Sequence, residues 1–514
     1  MNAQAIRASA DLDAPPFPGG AWGALLSSPA MAHLAPREIA RDFIYVSSAR
    51  LFALAVSFVR SLFIPRILGP TSYGMWKSLG IIQSYMQFAD LGAAAALKRE
   101  IPLYESRGDV ANAARARDVA FFVNNLAVLI ASVGAMTGSF LLDDTIYATA
   151  LRLFILILFA RQANSFLEKL LFWRKDFSYA SRLSLVLSIV ETALAITGTL
   201  LFGLNGLIVG TFAGYAFVVL LQLRRIRFEI GFAFRWSEWI DLVKIGFPSH
   251  VNGLLYNIFT SIDRLLILPV LGLEGLGLYG LAMTINEYLF QLSYAFGNVL
   301  SPRLVEKYGE KGSIEDLRPL VEKPTLAIAV GAPVLLGSVF FTVGPAIRIV
   351  LPEFVGAILP LKVLLVGTYF SSLHRGLSSF FLAIRRQARL LPAYGSAILA
   401  NGAFVWLALQ LGAGITGVAI VSSTVMAGFS IALIVMARWF FVKGIADHLK
   451  FIGTLALPLL WGAASTLAAE RAATSGPLEG APPAISGAMG LVTFLILYLP
   501  ALYSGYRMLR RPPA

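Results

Sequence analysis

The 514-residue sequence contains no cysteine and only four histidines, which are far apart at positions 33, 250, 374 and 448. Without cysteine the chain has no disulfide, no thiolate metal ligand and no cysteine nucleophile. It also lacks a glycine-rich loop of the kind that cradles phosphate groups. We therefore expect no metal, nucleotide or redox cofactor.

Charged residues are also scarce in this sequence. They make up 14% of the chain, whereas AVILMFWYC residues make up 57% and the mean hydropathy is +0.73. Soluble domains carry roughly 25% charged residues, about twice this share. The composition therefore excludes a large soluble protein and predicts an all-α polytopic membrane protein.

Long apolar runs supply the crossings. A helix that spans a bilayer needs about 20 mostly apolar residues, because its backbone satisfies its own hydrogen bonds in lipid. Scanning with this length predicts about fourteen transmembrane helices, at 43–67, 73–97, 118–142, 147–172, 179–203, 206–223, 243–270, 277–300, 324–347, 357–383, 390–411, 414–438, 451–469 and 485–506.

The positive charge follows the predicted topology. Of the 42 Lys and Arg residues, 31 fall on one side of the fourteen predicted spans. Five fall on the other, outer side: Arg66, Lys77, Arg348, Lys362 and Arg471. Because Lys and Arg are enriched in cytoplasmic loops, we predict a multi-pass protein with both termini cytoplasmic. The formal charge of +13 is then largely a mark of topology, and we expect no nucleic-acid partner.

A short repeat divides the chain. Arg60 precedes Pro65 by five residues, and Arg264 precedes Pro269 by five, with an offset of 204 residues between the two pairs. Each is followed by a glycine (Gly69, Gly272) and a Tyr-Gly pair (Tyr73-Gly74, Tyr279-Gly280). The offset equals six spans, which indicates two pseudo-symmetric six-helix lobes around a central cavity.

The repeat and the spans together predict the domain organisation. Residues 1–40 are expected to form a disordered cytoplasmic tail, 41–235 the N-lobe with helices 1–6, and 236–445 the C-lobe with helices 7–12. Residues 446–514 are expected to hold helices 13 and 14 and the cytoplasmic C-terminus.

Ionisable residues inside spans are the candidate site, since burying a charge in a bilayer is costly. Guanidinium stays protonated and donates bidentately to phosphate oxygens, so embedded arginines predict a cationic cavity for an anionic cargo. Arg152 is set aside because it lies near the end of its span and is able to snorkel to the interface. The predicted binding residues are Arg50, Arg60, Arg161, Arg264 and Arg375.

The embedded acids and histidines have two interpretations. They serve either in coupling by protonation or in structural ion pairs, with Arg161–Glu191 and Arg264–Glu287 as the pairs that adjacent spans suggest. The residues concerned are Asp263, Glu191, Glu287, His250 and His374.

Two segments carry a family resemblance. Residues 63–104, FIPRILGPTSYGMWKSLGIIQSYMQFADLGAAAALKREIPLY, and residues 260–282, TSIDRLLILPVLGLEGLGLYGLA, resemble the openings of the two lobes in the polysaccharide transporter family. This family, which includes the O-antigen flippases, belongs to the multidrug/oligosaccharidyl-lipid/polysaccharide exporter superfamily.

The resemblance implies a flippase rather than an enzyme. Its expected cargo is an undecaprenyl-diphosphate-linked oligosaccharide for lipopolysaccharide O-antigen or exopolysaccharide synthesis, moved across the cytoplasmic (inner) membrane by alternating access. The partners implied are this lipid-linked oligosaccharide, membrane lipid, and polysaccharide polymerase and export machinery. The alternative is a drug/cation antiporter of the same fold, although a pump for cations needs acidic residues and the embedded charge here is net positive.

Overall fold

The computed structural model describes residues 36–174, 176–226, 231, 234–474 and 482–510. Most of the predicted N-terminal tail, 1–35, lies outside these ranges. So do the side chains of some residues within them, among them Arg50 and Arg375.

Helices account for almost all of the described chain. The α-helices are α1 Pro36–Met86, α2 Ala93–Ser106, α3 Val110–Ser139, α4 Thr145–Trp173, α5 Phe177–Ile226, α6 Trp236–Lys311, α7 Arg318–Val350, α8 Ile358–Ala383, α9 Leu390–Gln410, α10 Gly414–Arg438, α11 Ile445–Thr474 and α12 Pro483–Arg510. Short 3₁₀ helices lie at Glu315–Leu317, Pro352–Ala357 and Gln387–Arg389.

Eleven of the described helices are long and apolar enough to cross a membrane. Three of these contain a break in helical geometry: α1 at Gly69, α5 at Phe202 and Gly203, and α6 at Gly272. A helix of 50 residues, such as α5, is far longer than the roughly 20 residues of one crossing. Division at the three breaks gives fourteen crossings, which agrees with the predicted all-α polytopic fold.

The breaks in α1 and α6 support the internal repeat. Gly69 has φ 71° and ψ 171°, and Gly272 has φ 68° and ψ −167°, which is nearly the same conformation. Both lie in the positive-φ region that glycine adopts without steric cost. The two repeat-related segments therefore bend in the same way, immediately after Pro65 and Pro269.

The largest buried apolar cluster joins the two lobes and includes Leu79, Leu207 and Tyr279. Buried side chains of α2–α6, including Phe166 and Leu97, form one apolar cluster in the N-terminal half. A second cluster lies among α6–α11 around Tyr369 and Phe380. The last two helices, α11 and α12, pack on α7 through Phe341, Phe494 and Tyr498. The predicted lobe boundaries remain a proposal, since Leu242 of α6 belongs to the N-terminal cluster.

Candidate functional site

The two lobes touch backbone to backbone at the turns that follow the breaks; we call this the Gly74 contact. A Cβ added at Gly74 would lie 1.8 Å from the carbonyl oxygen of Leu273, and one added at Gly277 would lie 1.9 Å from that of Pro70. Leu273 and Gly277 lie 203 residues after Pro70 and Gly74. Gly74 approaches Leu273 and Gly277 approaches Pro70, so the two approaches are reciprocal. Packing therefore equates Gly74 with Gly277 rather than with Gly280, which the sequence comparison paired with it.

Side chains extend the Gly74 contact toward the segment between α7 and α8. Arg66 donates a 2.7 Å hydrogen bond to the carbonyl oxygen of Val350. The ring of Tyr73 packs edge-on against Phe354 with centroids 5.8 Å apart. This end of the lobe interface is closed, and in the orientation predicted from charge it faces outward.

The Asp-Leu-Gly sequence at 90–92 forms a sharp corner between α1 and α2. Leu91 has φ 51°, unusual for a residue with a side chain, and Gly92 has φ 92°. Asp90 stabilises the corner by accepting hydrogen bonds from the backbone N–H groups of Gly92, at 3.1 Å, and Ala94, at 2.9 Å. These bonds cap the start of α2.

This corner closes the opposite end of the lobe interface; we call it the Asp90 contact. A Cβ added at Gly246 of α6 would lie 2.0 Å from the carbonyl oxygen of Gly92. Nε2 of His250 lies 3.4 Å from Oδ1 of Asp90, and its ring lies 5.1 Å from that of Phe88. His250, predicted from sequence as a coupling or ion-pair residue, is thus placed between the lobes.

A charged pair lies between the two closed ends. Arg264 Nη1 is 3.9 Å from Oε1 of Glu287, as one of the sequence-derived pairings suggested. The Glu287 side chain is 54% exposed near the middle of predicted span 277–300. A carboxylate in that position does not face lipid. Its exposure is the one expected of a side chain that faces the predicted central cavity between the lobes.

Asp263 is turned away from this cavity into the C-lobe. It is 3% exposed and accepts a 2.6 Å hydrogen bond from the Tyr279 hydroxyl and one of 2.7 Å from the Arg264 backbone N–H. Its neighbour Arg264 also donates to the carbonyl oxygen of Thr260 at 3.0 Å. The Asp-Arg motif therefore divides into one buried acid and one cation beside the cavity.

Lys77 is a residue that the sequence reasoning missed. The charge distribution places it among the outer-side charges, but it lies within α1 and donates a 2.5 Å hydrogen bond across the lobe interface to Thr284 Oγ1. A Cβ added at Gly280 would lie 2.7 Å from Lys77 Cγ, so this glycine leaves room for the lysine stem. The sequence signal for Lys77 is Gly280 of the second Tyr-Gly pair, because a glycine within a membrane helix allows close packing by a neighbouring residue.

Arg60 lies inside the N-lobe. It forms an ion pair and hydrogen bond with Glu191 of α5, and its Nη2 donates to Thr211 Oγ1 at 3.2 Å. Its guanidinium also lies 5.8 Å from the ring centroid of Trp76. The side chains of Arg60 and Glu191 are 17% and 8% exposed, which marks a buried pair.

Arg161 occupies the neighbouring layer of the same lobe. It donates a 2.5 Å hydrogen bond to Gln83 Oε1 and lies 4.9 Å from the ring centroid of Tyr215. The alternative pairing of Arg161 with Glu191 is therefore wrong, because Glu191 is taken by Arg60. Gln83 and Tyr215 each lie about one or two helical turns beyond the residues that contact Arg60, so the two arginines are stacked.

His374 is buried in the C-lobe, 3% exposed, with Nδ1 2.8 Å from Ser430 Oγ and its ring 5.3 Å from that of Phe429. The side chains of Arg50 and Arg375 lie outside the described part of the structure. Within that part, no group of three or more His, Asp or Glu residues is arranged to hold a metal ion.

We expect the Asp90 contact to weaken when Asp90 is replaced by alanine, because the change removes two cap bonds and the carboxylate opposite His250. Loss of such a cap costs about 1 kcal/mol, which corresponds to a roughly fivefold shift. The measurement is disulfide formation between cysteines introduced at Ser84 and Asn257, whose side chains lie 3.4 Å apart beside the contact. Asp90→Ala should lower the cross-linked fraction.

The matched control is Asp109→Ala. Asp109 caps α3 through the backbone N–H of Asn112 at 3.1 Å, which is a bond within the N-lobe. This variant should cross-link as the parent does. Equal cross-linking in the parent and in Asp90→Ala would contradict the assignment of Asp90 to closure.

The architecture described above defines a class: a two-lobed membrane fold of fourteen crossings, closed at both ends around polar groups. Solved structures share it. The chain is similar to a lipid II flippase MurJ in an inward closed conformation, with TM-score 0.68 and 15% identity over 91% of this chain and 100% of that one. It is similar to an inward-facing MATE multidrug resistance transporter of the MOP superfamily, with TM-score 0.60 and 16% identity over 78% and 96%.

A MOP superfamily transporter from Pyrococcus furiosus is also similar, with TM-score 0.55 and 15% identity over 77% of this chain and 95% of that one. At these identities the likeness shows the fold. A search of curated proteins found no match.

The family is shown by sequence. The family model described as "Polysaccharide biosynthesis protein" matches residues 63–353, more than half of the chain, and the chain belongs to this family. The resemblance predicted from the two lobe-opening motifs is confirmed. The matched region contains the Gly74 contact, the Asp90 contact and the Arg264–Glu287 pair.

Proposed function

We propose that this protein is a flippase, not an enzyme, that moves a lipid-linked oligosaccharide across the cytoplasmic membrane for cell-surface polysaccharide synthesis. The observation that carries the proposal is the Arg264–Glu287 pair, whose carboxylate side chain is 54% exposed, held between two closed ends of the lobe interface. Membership of the polysaccharide biosynthesis family supports the class of cargo. O-antigen and exopolysaccharide precursors are the cargoes that fit, carried on undecaprenyl diphosphate, with polymerase and export machinery as downstream partners.

The two contacts support alternating access. Each end of the interface is closed by a backbone approach of glycines together with a few polar side chains, so each is able to separate without unfolding a lobe. Opening the Asp90 contact admits the cargo from the cytoplasmic side, and opening the Gly74 contact releases it outside. This direction rests on the orientation predicted from charge, with both termini in the cytoplasm.

We assign different roles to the embedded cations. Lys77 donates across the lobe interface to Thr284, and Arg264 pairs with Glu287 on the α6 helix that carries Thr284. Both would meet the diphosphate there, since lysine and arginine both bind phosphate oxygens. Arg60 and Arg161 are held by Glu191 and Gln83 within the N-lobe, which favours support of the cavity wall. Arg50 and Arg375 remain predicted contributors to the cavity, and Glu287 and His250 remain predicted coupling groups.

Transport should fall by about ten- to hundredfold in Arg264→Ala, because a hydrogen bond to a charged group contributes about 1.5–3 kcal/mol. The measurement is accumulation of lipid-linked glycan on the cytoplasmic leaflet of a deletion strain complemented with each variant. Arg264→Lys, which keeps the charge but loses the bidentate geometry, should be intermediate.

Arg152→Ala is the control. Arg152 is also an intramembrane arginine, but it bonds Ser139 at 2.9 Å and lies 4.7 Å from the Phe140 ring centroid, far along α4 from Arg161. It should transport normally. Full activity of Arg264→Ala would remove Arg264 from the site, and unchanged glycan export after deletion would overturn the flippase function itself.

The drug/cation antiporter is the competing function, and the same strains test it. An antiporter needs acids for its cargo, so Glu287→Gln would abolish drug resistance conferred by the protein while glycan export continued. We expect the opposite result. Glycan export falls in Arg264→Ala, and the protein confers no drug resistance in any strain.

A further inference from the structure

Three arginines lie together at the end of the C-lobe where α8, α9 and α10 meet. Arg385, Arg386 and Arg389 occupy the turn between α8 and α9, and all three are exposed. The guanidinium carbons of Arg386 and Arg389 lie 5.2 and 5.1 Å from the ring centroid of Phe440, which follows α10. Two cations are therefore held over one aromatic ring.

The ring is a fixed platform. Phe440 packs against Phe380 and Phe381, with centroids 5.8 and 6.2 Å away, and both of those residues are fully buried. Beside it Trp439 is 46% exposed, and Lys443 donates a 2.7 Å hydrogen bond to the Trp439 carbonyl oxygen. An exposed tryptophan next to arginines is typical of the level of lipid headgroups.

No carboxylate neutralises this cluster among the residues that the structure describes: none of the three arginines is in an ion pair there. Arg438, two residues before Phe440, is different, since it is buried and paired with Glu322 at 2.8 Å. The exposed arginines thus carry uncompensated charge on an aromatic support.

The N-lobe has the corresponding place, and it is built differently. There the turn between α4 and α5 lies beside the C-terminal end of α5, which contains Arg225. This turn precedes the C-lobe turn by six predicted spans. Arg225 lies 5.5 Å from the ring centroid of Tyr179, again over an aromatic side chain. However, Asp176 of the turn pairs with Arg225 at 3.1 Å and neutralises it. Positive-inside topology alone would not produce this difference between the lobes.

We propose that Arg385, Arg386, Arg389 and Phe440 form a binding site for the headgroup of an anionic phospholipid. Guanidinium groups donate bidentately to phosphate, and the basic cluster complements the net negative charge of such a headgroup. The exposed Trp439 ring packs beside the glycerol and upper acyl region. The site lies outside the lobe interface, so it does not depend on the proposed transport function.

The test is lipid binding to the full-length protein, purified in detergent and measured by native mass spectrometry with phosphatidylglycerol or phosphatidylethanolamine of matched chains. The parent should bind phosphatidylglycerol in preference. Arg386→Gln combined with Arg389→Gln should weaken this binding by about 25-fold, roughly fivefold for each arginine, and high salt should weaken the parent likewise. Arg225→Gln, the matched arginine that is already paired, should leave binding unchanged.

A monodisperse elution profile confirms that the double variant is folded, and the double lysine variant provides a second measure because it keeps the charge. Lysines at 386 and 389 should bind phosphatidylglycerol with an affinity between the parent and the glutamine variant. Undecaprenyl diphosphate at equal concentration should not displace the phospholipid. Equal loss in Arg225→Gln and the double variant, unchanged binding in the double variant, or displacement by the diphosphate lipid would each overturn the proposal.

Discussion

Replacing Gly74 with alanine is expected to abolish most of the transport, because the added methyl group has no room at the lobe interface. Its Cβ would lie 1.8 Å from the Leu273 carbonyl oxygen, where an ordinary contact needs 3.4 Å or more. The obstacle is backbone on a repeat-related turn, so a side-chain rotation does not relieve it. The two lobes must instead separate at this end.

The size of the effect follows from the cost of overpacking, about 1–3 kcal/mol. That cost falls on the state closed at the Gly74 contact and spares the state open there, so it shifts the equilibrium by about 5- to 150-fold. A carrier that no longer closes one end loses alternation. Glycan export should fall by a similar factor, with the protein still present in the membrane.

A thiol reporter tests the conformational part directly, since the chain has no cysteine of its own. Ala357 is fully buried next to the Gly74 contact, so a cysteine there should be protected from a membrane-impermeant maleimide. Gly74→Ala should make it reactive from the outer face.

Gly80→Ala is the control, since it lies on the same helix and an added Cβ meets nothing within 4 Å. It should leave both labelling and export unchanged. If Gly74→Ala labels and transports as the parent does, the Gly74 contact is not part of the closed state.

The fold was predictable from sequence because every crossing of a bilayer needs about 20 apolar residues whose backbone hydrogen bonds are satisfied within the helix. The fourteen spans and the repeat-related bends at Gly69 and Gly272 follow from apolar run length and from glycine and proline placement. Hydropathy does not specify the rotation of each helix about its axis. Lys77 was therefore assigned to the outer side although it lies between the lobes.

The same limit explains the error over Glu191. Sequence placed it beside Arg161 because their spans are adjacent along the chain, whereas Arg60 reaches it from the first crossing. Two spans that are adjacent along the chain pair their polar side chains only when no third helix packs against the same face. The Asp-Leu-Gly motif at 90–92 shows the converse. Its sequence is part of the resemblance to the family, but its role in a lobe contact is seen only where the structure places Gly246 and His250 beside it.

Removing either partner of the Arg60–Glu191 pair is expected to cost about 3–5 kcal/mol of folding stability, because it leaves an uncompensated charge inside the N-lobe. Arg60→Met should therefore lower the apparent melting temperature and the yield of monodisperse protein, measured by fluorescence-detected size exclusion after heating. Glu191→Gln should act in the same direction, more mildly because the amide still accepts a hydrogen bond from Arg60.

The double variant, with methionine at both positions, separates support of the lobe from cargo binding. If the pair is structural, removing both charges together restores much of the stability, since well-packed apolar residues replace buried ion pairs at little cost. Glycan export should recover with it. A cargo-binding Arg60 predicts the opposite: Arg60→Met would stay folded, export would be lost, and the second substitution would restore nothing. We expect recovery, because Glu191 and Thr211 already occupy the guanidinium that a diphosphate would need.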